Sequence, residues 1–172
     1  MPYIACICEG TAEQEIITLL LDSNKLIFTS GEMLEEKPLR CRSAQKFEET
    51  YLRKGFSEKI TVYRILDSRR EKFALSKAYE NKVDVINVIT APEIEMLIIL
   101  TEGKYSEYKK AHKKPSDFCK SDLRYTNVKS KEFIENYFSD IDCLIAAIKE
   151  YKRVSSVQPH ELTLADLLKD DA

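Results

Sequence analysis

An uninterrupted apolar run close to the N-terminus constrains the fold more than any other feature. It covers Tyr3–Cys8. Glu9 and Gly10 follow it, and after them comes a helix-like segment that ends with Leu19–Leu21. A strand without polar alternation is typical of a parallel sheet that helices cover on both faces. The end of such a strand lies at the sheet edge where α/β proteins place their sites. Glu9 is therefore the first candidate functional residue.

Length and composition indicate a soluble globular protein. A chain of 172 residues with 44% hydrophobic and 33% charged residues suits one domain with a proper core. The net charge of -2 gives no overall attraction to nucleic acid or membrane. No apolar stretch approaches the ~20 residues that span a bilayer, and the N-terminus has no signal-peptide pattern. We expect a cytoplasmic protein without membrane contact.

The cysteines do not form a metal or disulfide pattern. Five of them are scattered along the chain, and neither histidine sits at ligand spacing from them. Cys6 and Cys8 would point to the same face of one strand. We expect buried, reduced thiols at Cys6, Cys8, Cys41, Cys119 and Cys143.

Strand and helix patterns alternate up to about residue 102, which predicts a parallel sheet of about four strands flanked by helices. The predicted strands are Tyr3–Cys8, Leu26–Phe28, Lys59–Leu66 and Val83–Ile89. Helices are predicted after Gly10, over Ala44–Lys54 with Ser43 as N-cap and Gly55 as stop, over Phe73–Asn81, and from Pro92 to Leu100. The last of these is apolar almost all round and should be deeply buried.

The second part of the chain is predicted to be helical. We expect residues 1–103 to form the α/β core and residues 104–172 to form a helical extension packed on it, as one compact domain. The predicted helices are Tyr105–Lys113, Pro115–Lys120, Lys131–Phe138, Ser139–Arg153 and Leu162–Leu168.

Charge is uneven within this extension. Residues 104–131 carry nine basic and three acidic residues (+6), whereas residues 132–172 carry four and nine (-5). Four lysines form the clearest part of this basic strip: Lys109, Lys110, Lys113 and Lys114. With Tyr105, Tyr108, Phe118 and Tyr125 between them, they could follow a nucleic-acid backbone. The alternative is a solvated helical face whose tyrosines pack inward.

Carboxylates follow several predicted strands at their C-terminal ends. Glu9 follows the first strand, Asp67 the third, and Glu93 or Glu95 lies on the helix after the fourth. These ends share one edge of a parallel sheet, and carboxylates there suit Mg²⁺ (or Mn²⁺), which polarises phosphoryl oxygens. Glu13 could extend the cluster, or could be an acid favoured by the helix N-terminus.

Two motifs resemble a known superfamily. One stretch of the chain resembles the first motif of the Toprim superfamily. It consists of an apolar strand, Glu9-Gly10, two variable residues, Glu13 and an apolar helix. That superfamily includes catalytic domains of primases, topoisomerases and OLD-type nucleases. Cys8-Glu9-Gly10 together with Ala91–Ile99 resembles, more narrowly, RloB-like proteins of prokaryotic restriction and phage-defence loci. On this alignment, Glu95 matches the family glutamate and Glu93 is an additional acid.

The chain departs from the family pattern in two places. Asp67-Ser68-Arg69 stands at the position of the family's Asp-x-Asp, so Arg69 replaces one usual metal ligand. Glu71 could substitute for it, or Arg69 could bind a phosphate with its planar fork. Met96 and Leu97 replace the family aromatic residue after Glu95.

The resemblance implies an Mg²⁺-dependent nuclease of a phage-defence system, with an ATPase as a possible protein partner. Glu9 would then be the principal ligand or general base, with Asp67 and Glu95 as further ligands. Arg69 and Arg70 would stabilise phosphate charge. One alternative is a catalytically inactive Toprim-like scaffold that binds a protein or nucleic acid. A primase-like nucleotidyl transferase would share the site but would need an accessory domain. The sequence indicates no oligomeric state.

Overall fold

Three parallel strands form the sheet in the computed structural model, which describes residues 3–172. Strand β1 is Tyr3–Cys8, β2 is Ile60–Leu66 and β3 is Val83–Ile89, in the spatial order β1-β2-β3. The register pairs Cys8 with Ile65 and Leu66 with Ile89. All three strands therefore end at one edge of the sheet, and the chain is an α/β protein.

Seven α-helices lie within the described residues. Their bounds are α1 Thr11–Asp22, α2 Ala44–Phe47, α3 Glu93–Thr101, α4 Tyr105–Ala111, α5 Pro115–Ser121, α6 Lys131–Tyr137 and α7 Ile141–Val154. A π-helical turn, Glu48–Leu52, continues α2, and 3₁₀ turns occupy Ser30–Glu32 and Leu164–Leu167. None of the helices within residues 3–172 combines the length and apolar composition that crossing a membrane requires.

Both faces of β1 are buried, as its apolar run predicts. Cys6 and Cys8 face the larger apolar cluster, which α1, α3, α5, α6 and α7 also enter. Ala5 and Ile7 face a smaller cluster that includes Phe47 of α2. The larger cluster draws residues from both sides of position 103, so one core runs through both parts of the chain.

Helix α3 is the most deeply buried helix of the larger cluster. Every residue from Glu93 to Ile99 is buried. Its sequence is apolar all round after the first turn, which a helix at the centre of a domain requires. The sequence predicts Pro92 as the first residue of this helix. In the structure the helix begins at Glu93, and Pro92 takes the N-cap position just before it.

Leu26–Phe28 does not form the fourth predicted strand. Leu26 makes only an isolated antiparallel bridge to Leu168, and the Ile27 N–H donates to the carbonyl of Leu167 at 2.9 Å. Leu26 and Phe28 are fully buried. The apolar pattern therefore reports burial against the C-terminal segment, and the sheet has three strands within the described residues.

The predicted helix over Phe73–Asn81 is also wrong. This segment is irregular and ends in turns, with the Tyr79 N–H donating to the Ser76 carbonyl. Partly buried and exposed residues alternate from position 71 to 75, including the partly buried Phe73 and Leu75, which is the pattern of an extended segment. The Ser76 N–H donates to the Glu48 carboxylate at 2.6 Å, which fixes the segment against the π-helical turn.

The remaining helices start and stop close to their expected positions. The Ser43 hydroxyl accepts the Lys46 N–H and caps α2, and Gly55 has the positive φ of +72° that ends this helical region. In the extension, α4 stops at His112, which has a left-handed φ of +50°. The predicted terminal helix over Leu162–Leu168 is only the 3₁₀ turn.

Candidate functional site at the carboxyl edge of the sheet

Glu9 joins the ends of β1 and β2. Its N–H donates to the Ile65 carbonyl at 3.0 Å, which continues the parallel pairing by one residue. Its carboxylate oxygen Oε2 accepts the N–H of Asp67 at 2.7 Å. Glu9 and Asp67 therefore lie side by side at the sheet edge because the register of the two strands brings them there.

Lys129 bridges two of the predicted site carboxylates. Its ammonium lies 2.9 Å from each carboxylate oxygen of Asp67 and 3.3 Å from Oε1 of Glu95. Burial disfavours the charge of this lysine, but the two carboxylates outweigh that effect and raise the pKa of Lys129. A cation of the chain itself thus lies between Asp67 and Glu95.

Glu95 retains one carboxylate oxygen without a partner. The side chain is only 10% exposed, and its Oε2 atom is fully buried with no hydrogen bond in the described residues. An ionised oxygen buried in this way is costly unless a donor or cation reaches it. This oxygen is therefore available to a further ligand.

Glu13 is buried beside the cluster. Burial is the main cause of its raised pKa; the nearby Asp67 charge adds to this, and Lys129 opposes it. The Thr90 hydroxyl lies 3.2 Å from Oε1 of Glu13 and 3.0 Å from the Leu66 carbonyl, although it has only one hydrogen to donate. The single hydrogen of this hydroxyl is thus shared between the Glu13 carboxyl and the Leu66 carbonyl, which ties Glu13 to the end of β2.

Gly10 has a steric role in the same cluster. A Cβ atom at this position would lie 2.1 Å from Oε2 of Glu13, closer than non-bonded atoms approach. Glycine therefore lets the first turn of α1 hold the Glu13 carboxyl against the sheet, which explains the Glu9-Gly10 sequence in local steric terms.

Glu93 lies away from the edge and binds the C-terminal segment. It is fully buried, its Oε2 accepts the Leu164 N–H at 3.3 Å, and its Oε1 has no partner in the described residues. Burial raises its pKa to about 8. Of the two α3 acids, only Glu95 contributes to the site.

The two predicted phosphate-binding arginines have different environments. Arg69 donates from Nε and Nη2 to the two carboxylate oxygens of Glu161, at 2.7 and 3.0 Å, and from Nη1 to the Ala91 carbonyl at 3.2 Å. All three nitrogens of its fork thus have partners in the chain. Arg70 is exposed, and its N–H donates to the Ser68 hydroxyl.

The lysines of the basic strip are exposed on α4 and around the start of α5. Lys113 pairs with Asp122 at 2.6 Å, whereas Lys109, Lys110 and Lys114 are exposed to solvent. The aromatic residues between them contact other side chains. Tyr108 and Phe118 pack edge to face at 5.5 Å, and the Tyr125 hydroxyl donates to Glu102 at 2.9 Å.

Two functional candidates gave no sequence signal or only a weak one. Lys129 lies in a segment with no periodic pattern, and it pairs with an acid 62 residues away. Arg64 is the one basic residue of the apolar strand β2, and a charged residue within such a strand is a weak signal of a special role. It is buried, its guanidinium lies 4.7 Å from the centre of the Phe73 ring, and it donates to Asn87.

Glu71 lies beside Arg64 and Glu9 at the strand ends. It lines a small cavity of about 10 Å³ with Glu9 and Arg64. Such a cavity has room for about one water molecule. Burial lowers the pKa of Arg64, and the charges of Glu71 and Glu9 oppose this. Glu71 thus lies near both Glu9 and the buried Arg64.

The described residues contain no ready-made multi-acid metal centre. No three His, Cys, Asp or Glu side chains between positions 3 and 172 are grouped so that they could hold a metal ion. The five cysteines are all free, and Cys6, Cys8 and Cys119 are buried as expected. Cys41 is only partly buried and Cys143 is exposed, so the expectation of burial is wrong for Cys143.

Comparison of the chain with models of protein families, with curated proteins and with solved structures found no match.

The buried Glu93 carboxyl predicts a specific dependence of stability on pH. Its pKa rises on folding from 4.5 to about 8, so the folded state binds this proton more tightly than the unfolded state. Between these pH values its contribution to the free energy of unfolding falls as pH rises, by up to about 1.4 kcal/mol per pH unit. In Glu93→Gln the free energy of unfolding, measured by urea unfolding, should fall less steeply between pH 5 and 8 than in the wild type.

Glu80 is exposed, so Glu80→Gln is the matched control. Its free energy of unfolding should depend on pH as that of the wild type does. A Glu93→Gln profile as steep as that of the wild type would show that Glu93 does not titrate in this range.

Proposed function

We propose that the carboxyl edge of this sheet binds Mg²⁺ or Mn²⁺ and carries out nuclease-like phosphoryl transfer on DNA or RNA. One observation carries the proposal: Asp67 and Glu95, from different elements, already share one cation, the Lys129 ammonium. Two carboxylates are enough protein ligands for Mg²⁺, which completes its shell with water and phosphate oxygens.

The residues at this edge fit a divalent cation. Asp67 is 38% exposed, so substrate and water can reach it, and Glu95 has a buried oxygen that lacks a partner in the described residues. A divalent ion would satisfy that oxygen and would replace a single positive charge by a double one. Asp67 and Glu95 would hold the ion, and Glu9 and Glu13 would supply further negative charge beside it.

The other roles follow from the contacts of each side chain. A bound metal would polarise a phosphoryl oxygen and lower the pKa of water. Glu9, fixed by the Asp67 N–H, is positioned to act as a ligand or general base. Lys129, once separated from the carboxylates, would lie where negative charge develops on phosphate. Arg69 is held by Glu161 and would reach a phosphate only by leaving that pair; Arg70 is exposed.

The family and biological setting belong to the same proposal. The Cys8-Glu9-Gly10 and Ala91–Ile99 motifs support a Toprim-like, RloB-like assignment. A parallel sheet with Glu9 and Asp67 at its carboxyl edge is compatible with it. On this basis we propose a role in a prokaryotic phage-defence or restriction-associated system, with an ATPase as a possible protein partner.

A catalytically inactive scaffold is the second candidate, and the Lys129 bridge is the observation that favours it. An ammonium that neutralises Asp67 and Glu95 can replace a metal ion as a permanent structural element. Arg69, in place of a second acid, is likewise paired within the chain. Such a protein would keep the fold and present its surface to a partner protein or nucleic acid.

Substitution of Glu9 tests the enzymatic proposal. Glu9→Gln keeps an oxygen that can accept the Asp67 N–H but removes the negative charge. We expect cleavage of single-stranded DNA or RNA in Mn²⁺ to fall by about 100-fold or more, with an unchanged melting temperature. If wild type and Glu9→Gln give the same cleavage and metal binding, the enzymatic proposal fails; Glu80→Gln controls for charge.

Substitution of Lys129 separates the two candidates. Lys129→Met removes the internal cation and leaves Asp67 and Glu95 as neighbouring unpaired acids, so stability without metal should fall. For a metal site, Mn²⁺ should bind about tenfold more tightly than in the wild type, equivalent to about 1.4 kcal/mol, by titration calorimetry. The exposed Lys77→Met is the control. Lower stability without any gain in Mn²⁺ affinity would support the scaffold.

The basic strip predicts salt-dependent binding of nucleic acid. Oligonucleotide binding should weaken when Gln replaces Lys109, Lys110, Lys113 and Lys114. The slope of the logarithm of the binding constant against the logarithm of salt concentration should fall in magnitude by about one for each phosphate that the protein ceases to neutralise. The matched control replaces four exposed lysines elsewhere: Lys37, Lys46, Lys54 and Lys77. Equal effects of the two quadruple variants would mean that the strip is an ordinary solvated face.

A further inference from the structure

An open cleft lies beside the carboxylate site, between helix α6 and the loop that precedes it. Its volume is about 460 Å³, within the usual range for small-ligand sites. The residues that the following argument uses are Thr126, Asn127, Glu132, Phe133, Asn136 and Tyr137. None of the described residues that line it is basic, so the cleft is unsuited to a phosphate group.

Aromatic rings give one wall of the cleft a rigid, flat surface. Phe133 and Tyr137 stack with their ring centres 5.3 Å apart and their planes only 13° apart. Tyr125 packs edge-on against both rings. The hydroxyls of Tyr125 and Tyr137 both donate to Glu102, at 2.9 and 2.7 Å, which fixes the rings in place. Rings held in this way lose little entropy when another flat group packs on them.

Polar side chains on the rim suit the edge of a nucleobase. Asn127 and Asn136 are exposed and line the cleft, and each amide has both donors and an acceptor. Glu132 can accept a hydrogen bond from an exocyclic amino group. Flat apolar walls with amide and carboxylate groups on the rim match the face and edge of a base.

A second groove connects this cleft with the carboxylate site. It has a volume of about 370 Å³ and contains Glu95, Lys129 and Lys120. It shares Thr126 and Asn127 with the first cleft, so the two are adjacent. The two differ in character, because Lys120 and Lys129 lie in the groove beside Glu95, whereas the stacked rings of Phe133 and Tyr137 lie in the cleft.

We propose that the cleft binds one unpaired base of a single-stranded nucleic acid whose phosphate lies over Lys120. This rests on the proposed function for the carboxylate edge and specifies its substrate as single-stranded. Base pairing and stacking in a duplex hide the surfaces that such a cleft contacts, whereas an unstacked base presents both its face and its edge. Both DNA and RNA offer this base chemistry.

The test compares binding of matched oligonucleotides in EDTA, where cleavage cannot contribute. The probes are fluorescent DNA and RNA strands of about ten nucleotides, an abasic strand with the same backbone, and a duplex. Wild type should bind the strands with bases at least about fivefold more tightly than the abasic strand or the duplex, by anisotropy. A difference between the DNA and RNA arms would identify the natural strand.

Two variants assign this preference to the cleft. Asn136→Ala changes an exposed amide, and Phe133→Leu removes the flat ring but keeps an apolar side chain. Each should reduce the preference over the abasic strand by about threefold or more, towards equal binding of the two strands. The exposed amide Asn81, which lies outside the cleft, provides the control Asn81→Ala. Because Phe133→Leu could loosen the aromatic packing, Asn136→Ala decides the result if the melting temperature of the former falls.

The outcomes separate this inference from the proposed function. Equal wild-type affinity for normal and abasic strands overturns the cleft assignment, and so does an unchanged preference in Asn136→Ala. Glu9-dependent cleavage would still support the nuclease in either case. Base-dependent binding that Asn136→Ala weakens, without any cleavage in Mn²⁺, supports the cleft and rejects the nuclease.

Discussion

Acidic side chains crowd together at one end of the sheet, and each must avoid being a buried, unpaired charge. The chain solves this in three ways. Glu9 accepts a backbone N–H, Asp67 and Glu95 share the Lys129 ammonium, and Glu13 accepts the Thr90 hydroxyl. Desolvation of a carboxylate costs several kcal/mol unless a donor or cation compensates for it. The arrangement of the strand ends and of the loop that carries Lys129 depends on this compensation.

The second part of the chain supplies the cation of the site and braces the loop after β2. Lys129 and Glu161 both lie beyond residue 103, and both contact residues that follow β2. The same region packs α7 against α3 through the larger apolar cluster. The carboxylate site is therefore built by the whole chain, since the strand ends and the helices α1 and α3 supply the acids and the extension supplies the cation.

The sequence predicted those parts of the site that depend on strand direction. Strands that run parallel end at one edge, so Glu9 and Asp67 had to lie close together once the apolar runs of β1 and β2 were recognised. The position of Lys129 depends instead on the path of an irregular loop, for which no periodic pattern exists. The errors at Leu26–Phe28 and Phe73–Asn81 have a related cause. Both segments are apolar because they pack against other parts of the chain, and burial alone does not specify a strand or a helix.

The Arg69–Glu161 pair ties together three parts of the chain that lie far apart in sequence. Arg69 follows Asp67 by two residues, while its fork holds both oxygens of Glu161 and the carbonyl of Ala91 just before α3. The loop after β2 is consequently braced from the C-terminal side. A movement of Asp67 and a movement of the residues near 161 would therefore both act on this pair. The C-terminal segment thus provides a mechanical route by which a second protein could influence the acidic edge without touching it.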